Sequence, residues 1–219
     1  MHEIIVRLCR AIASRPRLRI LSRLAKHGEA IPTVLQHELR LPLNVVSHHL
    51  RTLASVGLIS GRRSAARCYY EFRSRYPKNT LSGDMSAWLR DLLRSAPGAT
   101  SGEVKEAHSP SAPPSDAKLH TVIFEAATAF TDLRRVQVLD YLGTHAQASG
   151  ATLAAQLKMS EFAVSRQTTK LRRRGILLAS REGMTGLVFQ LAAHSKTPIH
   201  GRMLRIVRSA LQKETLRTS

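Results

Sequence analysis

A chain of 219 residues has room for one large domain or two small ones, each burying a modest core. Its 34 Lys and Arg against 15 Asp and Glu leave a formal net charge of +19, which selects a polyanion as partner. Other classes are disfavoured: no apolar run approaches the roughly 20 residues of a membrane span, two cysteines are too few for a disulfide scaffold, and 5% aromatics argue against stacking platforms for single strands.

The N-terminal stretch MHEIIVRLCR interrupts its apolar run with charges and has no small-residue cleavage site, so a soluble, cytoplasmic protein without membrane contact is expected. A first helix is predicted over about Glu3 to Ala13, with Ile4, Leu8 and Ile12 on one stripe. A second helix turns Leu18, Leu21 and Leu24 inward, and a short third covers about Thr33 to Leu39. The stretch VVSHHLRTLASVGLIS, Val45 to Ser60, then forms a helix with Val46, Leu50 and Leu53 on its core stripe and Asn44, Ser47, His48, Arg51, Thr52 and Ser55 on the opposite side. Gly57 is placed to end that helix as a left-handed cap. LISGRR and RCYYEF read as a β-hairpin, and a last helix carries Met85, Trp88, Leu89 and Leu92 on one face.

The stretch SAPGATSGEVKEAHSPSAPPSDAK is rich in Pro, Ser, Ala and Gly, and residues 96–117 are read as a flexible linker. Beyond it the pattern returns. RLRILSRL at Arg17 reappears as RVQVLDYL at Arg135, and HLRTLASVGLI at His49 as QTTKLRRRGIL at Gln167, both displaced by 118 residues. At that shift Leu21, Leu35, Ser47, Leu53 and Gly57 coincide with Leu139, Leu153, Ser165, Leu171 and Gly175. The second copy repeats the helices from about Leu119, with Ile123 and Phe130, then Val136, Leu139 and Leu142, inward. A short helix over about Thr152 to Leu157, a hairpin from ILLAS and LVFQL, and a last helix with Met203, Leu204, Val207 and Leu211 complete it. Domains are therefore expected at 1–95 and 118–219. Residues 1–95 hold 17 basic and 6 acidic side chains, residues 117–219 hold 16 and 6, and the segment between holds 1 and 3. Each copy should meet the polyanion on its own.

SRPRLRILSRL, VVSHHLRTLASVGLISGRR and CYYEF resemble the ArsR-type winged helix-turn-helix regulators, strongly over Ser14 to Phe72 and more weakly over Asp132 to Leu191, where Thr168 stands at a usually apolar position. The resemblance implies a mainly α fold with small β-hairpin wings, here as tandem winged helix-turn-helix domains. In that family the first and last helices form a dimer interface. A linker of about 22 residues spans about 25 Å as a coil, so one chain is expected to form an intrachain pseudo-dimer, with further homodimerisation left open. The resemblance also implies a transcriptional regulator, more often a repressor, bound to double-stranded DNA.

On this reading the DNA-binding candidates of the first copy are Asn44, Ser47, His48, Arg51 and Thr52 on the helix and Arg62, Arg63 and Arg67 on the wing. Those of the second are Ser165, Arg166, Thr169, Lys170, Arg173 and Arg181. Arginine to guanine and asparagine to adenine are the strongest base-reading pairs, so Arg51, Asn44 and Arg166 are assigned to sequence reading and the wing arginines to the backbone. His48 points outward, whereas His49 lies about 60° from the core stripe. A metal would need ligands a turn apart, and Thr52 and Leu53 stand there, so no metal is expected. The cysteine or histidine sets of metal-sensing relatives are also missing, and no cofactor or catalytic residue is assigned. Cys9 and Cys68 read as reduced thiols, with a redox pair as the alternative should the first helix and the hairpin meet. An imperfect palindrome read by unlike helices is the expected operator; an architectural or mobile-element and plasmid maintenance protein without ligand response is the alternative.

Overall fold

The computed structural model describes residues 1–96, 116–181 and 186–218. The chain forms α1 (His2–Ile12), α2 (Arg15–His27), α3 (Pro32–Leu39), α4 (Leu43–Ser55), the hairpin β1 (Ser60–Ser64) and β2 (Arg67–Glu71), and α5 (Leu81–Ser95). The order recurs as α6 (Asp116–Thr128), α7 (Leu133–Thr144), a short β3 (Ala148–Ser149), α8 (Gly150–Gln156), α9 (Glu161–Arg173), the hairpin β4 (Leu177–Arg181) and β5 (Leu187–Leu191), and α10 (Pro198–Thr218). The fold is mainly helical with small antiparallel hairpins, and its N-terminal part is a winged helix-turn-helix. The linker expectation lies outside the described residues except at its ends; Asp116 and Ala117 already belong to α6.

Two compact units form, and they do not follow chain order. One joins Met1–Ala13 to Glu125–Ser219, and the other is Ser14–Phe124. Compared with a division at 1–95 and 118–219, first helices are exchanged. In one unit α1 packs on α7, and His2 Nε2 lies 2.8 Å from Asp140 Oδ2. In the other the N-terminal part of α6 joins α2, where His120 Nε2 lies 2.8 Å from Ser22 Oγ and Lys26 Nζ donates to Asp116 at 2.7 Å. His2 and His120, like Ser22 and Asp140, are 118 residues apart. The same two repeat positions are therefore paired twice.

In the unit Ser14–Phe124, Leu18, Leu21 and Leu24 of α2, Leu35 of α3 and Val46, Leu50 and Leu53 of α4 are buried. Pro16 near the start of α2 and Pro32 at the start of α3 suit first turns, where a missing N–H costs nothing. Arg40 adopts a left-handed φ of 52° in the turn between α3 and α4. After α4, Gly57 (φ 73°) donates to Ala54 O and Leu58 N to Leu53 O, both at 3.0 Å, the paired bonds of a Schellman cap. On α5 the buried line is Leu81, Met85, Leu89 and Leu93, while Trp88 and Leu92 are only half-buried. Ser82 and Ser86 Oγ donate to Val56 O and Leu58 O, tying α5 to the end of α4.

The unit of Met1–Ala13 and Glu125–Ser219 repeats these devices. Lys158 has a φ of 51° where Arg40 has 52°, and Gly175 and Ile176 donate to Arg172 O and Leu171 O at 2.8 and 3.0 Å. Asp132, Ser149 and Ser160 cap α7, α8 and α9 through their side chains. Of the expected stripe on α1, Leu8 and Ile12 are buried, but Ile5 and Cys9 complete it in place of Ile4, which is 53% exposed. The helix is rotated by one residue because positions i, i+3, i+4 and i+7 from Ile5 make the wider apolar face. β3 was not foreseen, but its pairing of Ala148 with Phe189 matches the Ala30–Tyr70 bridge of the first copy.

Burial pushes the imidazoles of half-buried His49 and of buried His120 and His200 below the ordinary 6.5; Arg17 and Lys196 add to this at His49 and His200, and Asp116 opposes it at His120. As the pH falls below 6.5 the unfolded chain takes up protons that the folded rings resist. Their stabilising effect is thus complete above that value and is lost below it. A lower urea midpoint at about pH 5.5 than at about pH 7.5, followed by circular dichroism, is expected; an equal or higher midpoint would contradict it.

Candidate nucleic-acid interface

On α4, Val46, Leu50 and Leu53 are fully buried, which fixes the rotation of the helix and turns Asn44, His48 and Arg51 outward; Ser47 and Thr52 are half-buried beside them. Thr52 Oγ1 donates to His48 O at 3.0 Å, and Arg51 Nε to Ser47 O at 3.4 Å. Asn44 is exposed, and its Oδ1 accepts from Val45 N at 2.9 Å. His48 and His49 do not act as a pair. Their ring centroids are 5.8 Å apart and tilted by 60°, and His49 Nδ1 is buried with no hydrogen bond among the described residues. Among the described residues no group of three or more His, Cys, Asp or Glu could hold a metal ion.

The wing treats its arginines unequally. Arg62 makes a two-pronged ion pair with Glu29, at 3.1 and 2.6 Å, and lies 4.8 Å over the Tyr69 ring. The hydrogen bond to Glu29 raises its already high pKa. Arg62, expected to hold the DNA backbone, is thus engaged within the protein. Its sequence separation from Glu29 gave no hint of this. Arg63 and Arg67, opposite Cys68 and Ser64 in the hairpin register, are exposed and make no ion pair among the described residues.

On α9 the exposed residues include Ser165, Arg166, Lys170 and Arg173, with Thr169 half-buried; Arg181 is exposed on β4. Thr168 is tolerated on the core side because its hydroxyl donates to Val164 O at 2.9 Å. Gln167, at the repeat position of His49, is fully buried with neither amide atom hydrogen-bonded among the described residues. A groove of about 320 Å³ runs beside this helix, lined by Val164, Ser165, Thr169, Leu187 and Phe189 among others. Sequence reasoning also passed over Phe162, whose ring is 77% exposed. Only its place at the shift of Asn44 could have marked it.

The wing pairing is specific to the first copy. At the 118-residue shift Glu29 and Arg62 become Gln147 and Ser180. Both ends of the ion pair are lost together. The hairpin register gives Ser60 opposite Glu71 and Leu178 opposite Gln190, so the second hairpin holds one extra residue and Tyr69 corresponds to Val188. Cys9 is fully buried, and burial pushes its thiol up to about 12, which disfavours the reactive thiolate.

Residues 12–62 match the family model described as a helix-turn-helix domain, which covers α2, α3, α4 and the start of the wing. Residues 12–62 are thus similar to a helix-turn-helix domain, and such a domain implies DNA binding. The second copy lies outside the matched residues, and no catalytic family was found. Searches of curated proteins and of solved structures gave no match. Among the described residues no helix is long and apolar enough to cross a membrane.

Glu29→Gln gives the first copy the residue that the second carries as Gln147. It is expected to release Arg62 and to steepen the salt dependence of duplex binding by about one phosphate contact, a change of about 0.9 in the log–log slope. An unchanged slope in a salt titration would show that Arg62 stays on the hairpin.

Proposed function

We propose that the chain is a sequence-specific double-stranded DNA-binding transcriptional regulator, a repressor, in which one chain does the work of a dimer. α4 and α9 each read one half of an imperfect palindrome. The observation that carries this is the repeat itself: the matched helix-turn-helix recurs 118 residues later with the same core stripe and cap but a different outward face. A recognition helix meets the major groove with its outward residues, and seating is what its inward residues supply.

Residue chemistry divides the work. Asn44 and Arg51 suit adenine and guanine edges, and Arg166 suits guanine. Ser47, His48, Thr52, Ser165, Thr169, Lys170 and Arg173 flank them as groove and phosphate contacts. Arg63, Arg67 and Arg181 hold the backbone from the wings; Arg62 does so only when it leaves Glu29. The exchange of first helices supports the pseudo-dimer, because His2–Asp140 and His120–Ser22 repeat one contact with its two ends taken from different copies. A protein with this partner works in the cytoplasm, at the nucleoid.

DNase footprinting with the full chain should reveal two unlike half-sites whose centres lie about one helical turn, or a multiple, apart. Arg51→Ala should then lose about 1–3 kcal/mol of discrimination in one half-site only. Two identical half-sites, or protection without sequence preference, would overturn the reading. Equal weakening on every sequence would reassign Arg51 to phosphate.

A further inference from the structure

We propose that Phe162 is a specificity-determining residue that reads thymine through its 5-methyl group in the half-site facing α9. This rests on the DNA-binding reading above. Phe162 is the second residue of α9, and at 77% it is the most exposed of the large apolar side chains described. Its exposure is not a failure of packing, since the next two residues, Ala163 and Val164, are the ones the core takes. Counting along the helix, Phe162 shares a face with Ser165, Arg166, Thr169, Lys170 and Arg173, at i+3, i+4, i+7, i+8 and i+11.

A large apolar ring at the leading end of a cationic face needs an occupant that is both anionic and locally apolar. A duplex major groove fits that description: its phosphates meet Lys170 and Arg173, a guanine edge meets Arg166, and the one apolar group on its base edges is the thymine methyl. N-terminal residues of a recognition helix are the ones that reach base edges. The repeat supplies an independent reason. At the 118-residue shift Phe162 stands where α4 has Asn44, which is also exposed. An amide at that position suits the N6 and N7 edge of adenine, and a phenyl ring suits the methyl of thymine, so both copies select an A·T pair by different atoms.

The test uses the full chain, the duplex defined by footprinting, and the same duplex with single thymines replaced by deoxyuridine, which removes only the methyl group. One replacement in the α9 half-site should weaken equilibrium binding about three- to five-fold, the worth of one apolar carbon group, and no replacement opposite Asn44 should matter. Phe162→Ala should bind the thymine duplex as weakly as the native chain binds the uracil one, and should no longer distinguish the two. Phe162→Leu, still apolar, should keep part of the discrimination. Native binding that ignores every deoxyuridine, or discrimination that survives Phe162→Ala, would overturn the proposal while leaving DNA binding intact. A preference for single strands over duplex would overturn it in favour of base stacking, and failure to bind any nucleic acid would remove the underlying reading as well.

Discussion

The exchange of first helices is the constraint on which the rest of the structure depends. α1 presents Ile5, Leu8 and Ile12, each fully or almost fully buried, to the unit that contains α7. Burial of one such side chain stabilises by about 1.5–3 kcal/mol, whereas a hydrogen bond such as His2 to Asp140 contributes about 0.5–1.5 kcal/mol net. The apolar faces therefore drive the association, and the polar contact selects its register. Leu119 and Ile123 of α6 do the same for the unit that contains α2, with His120 and Ser22 as the register contact. The first copy has the N-terminal part of α6 in place of its own first helix, and the second has α1 beside the last turn of its own α6.

That constraint was only half legible in the sequence. Periodicity says which face of a helix is apolar, and so the stripes of α2, α4, α7 and α9 and the caps at Gly57 and Gly175 could be read directly. It does not say against which helix the face lies, because the side chains of Ile5 and Leu8 carry no address. The address is in polar positions, His2 with Asp140 and His120 with Ser22, whose meaning appears only once the pairs are side by side. The shift from Ile4 to Ile5 on α1 has a simpler origin. Two adjacent isoleucines fit overlapping stripes, and the burial of Cys9 decides between them.

The candidate interface shows the same division between local and distant information. Outward positions on α4 follow from helix geometry alone, so Asn44, His48 and Arg51 fall where the sequence puts them. Arg62 does not, since its partner Glu29 is brought to it by the fold. Basic composition could not separate a cation facing solvent from one already satisfied. Gln167 was hidden for a related reason: a glutamine flanking the core stripe reads as surface until the depth of the helix is known, and leaving such an amide buried and unpaired costs about 1–3 kcal/mol.

Charge and discrimination are then separable contributions to binding. With a net charge of +19, the chain gains affinity for any duplex by releasing counterions, and that gain falls steeply with salt and is blind to sequence. Adding further arginines, as α9 does at Arg172 and Arg173 beside Arg166, raises binding to correct and incorrect sites together. A contact that salt does not replace, such as an amide against adenine or a ring against a methyl group, changes only the ratio between sites. On the proposed reading the two copies hold their seating in common and differ at base-reading positions, most sharply where Asn44 of α4 is replaced by Phe162 of α9. A single chain thereby gains what a symmetric dimer of identical helices lacks: two half-sites that can be recognised by different chemistry and tuned one at a time.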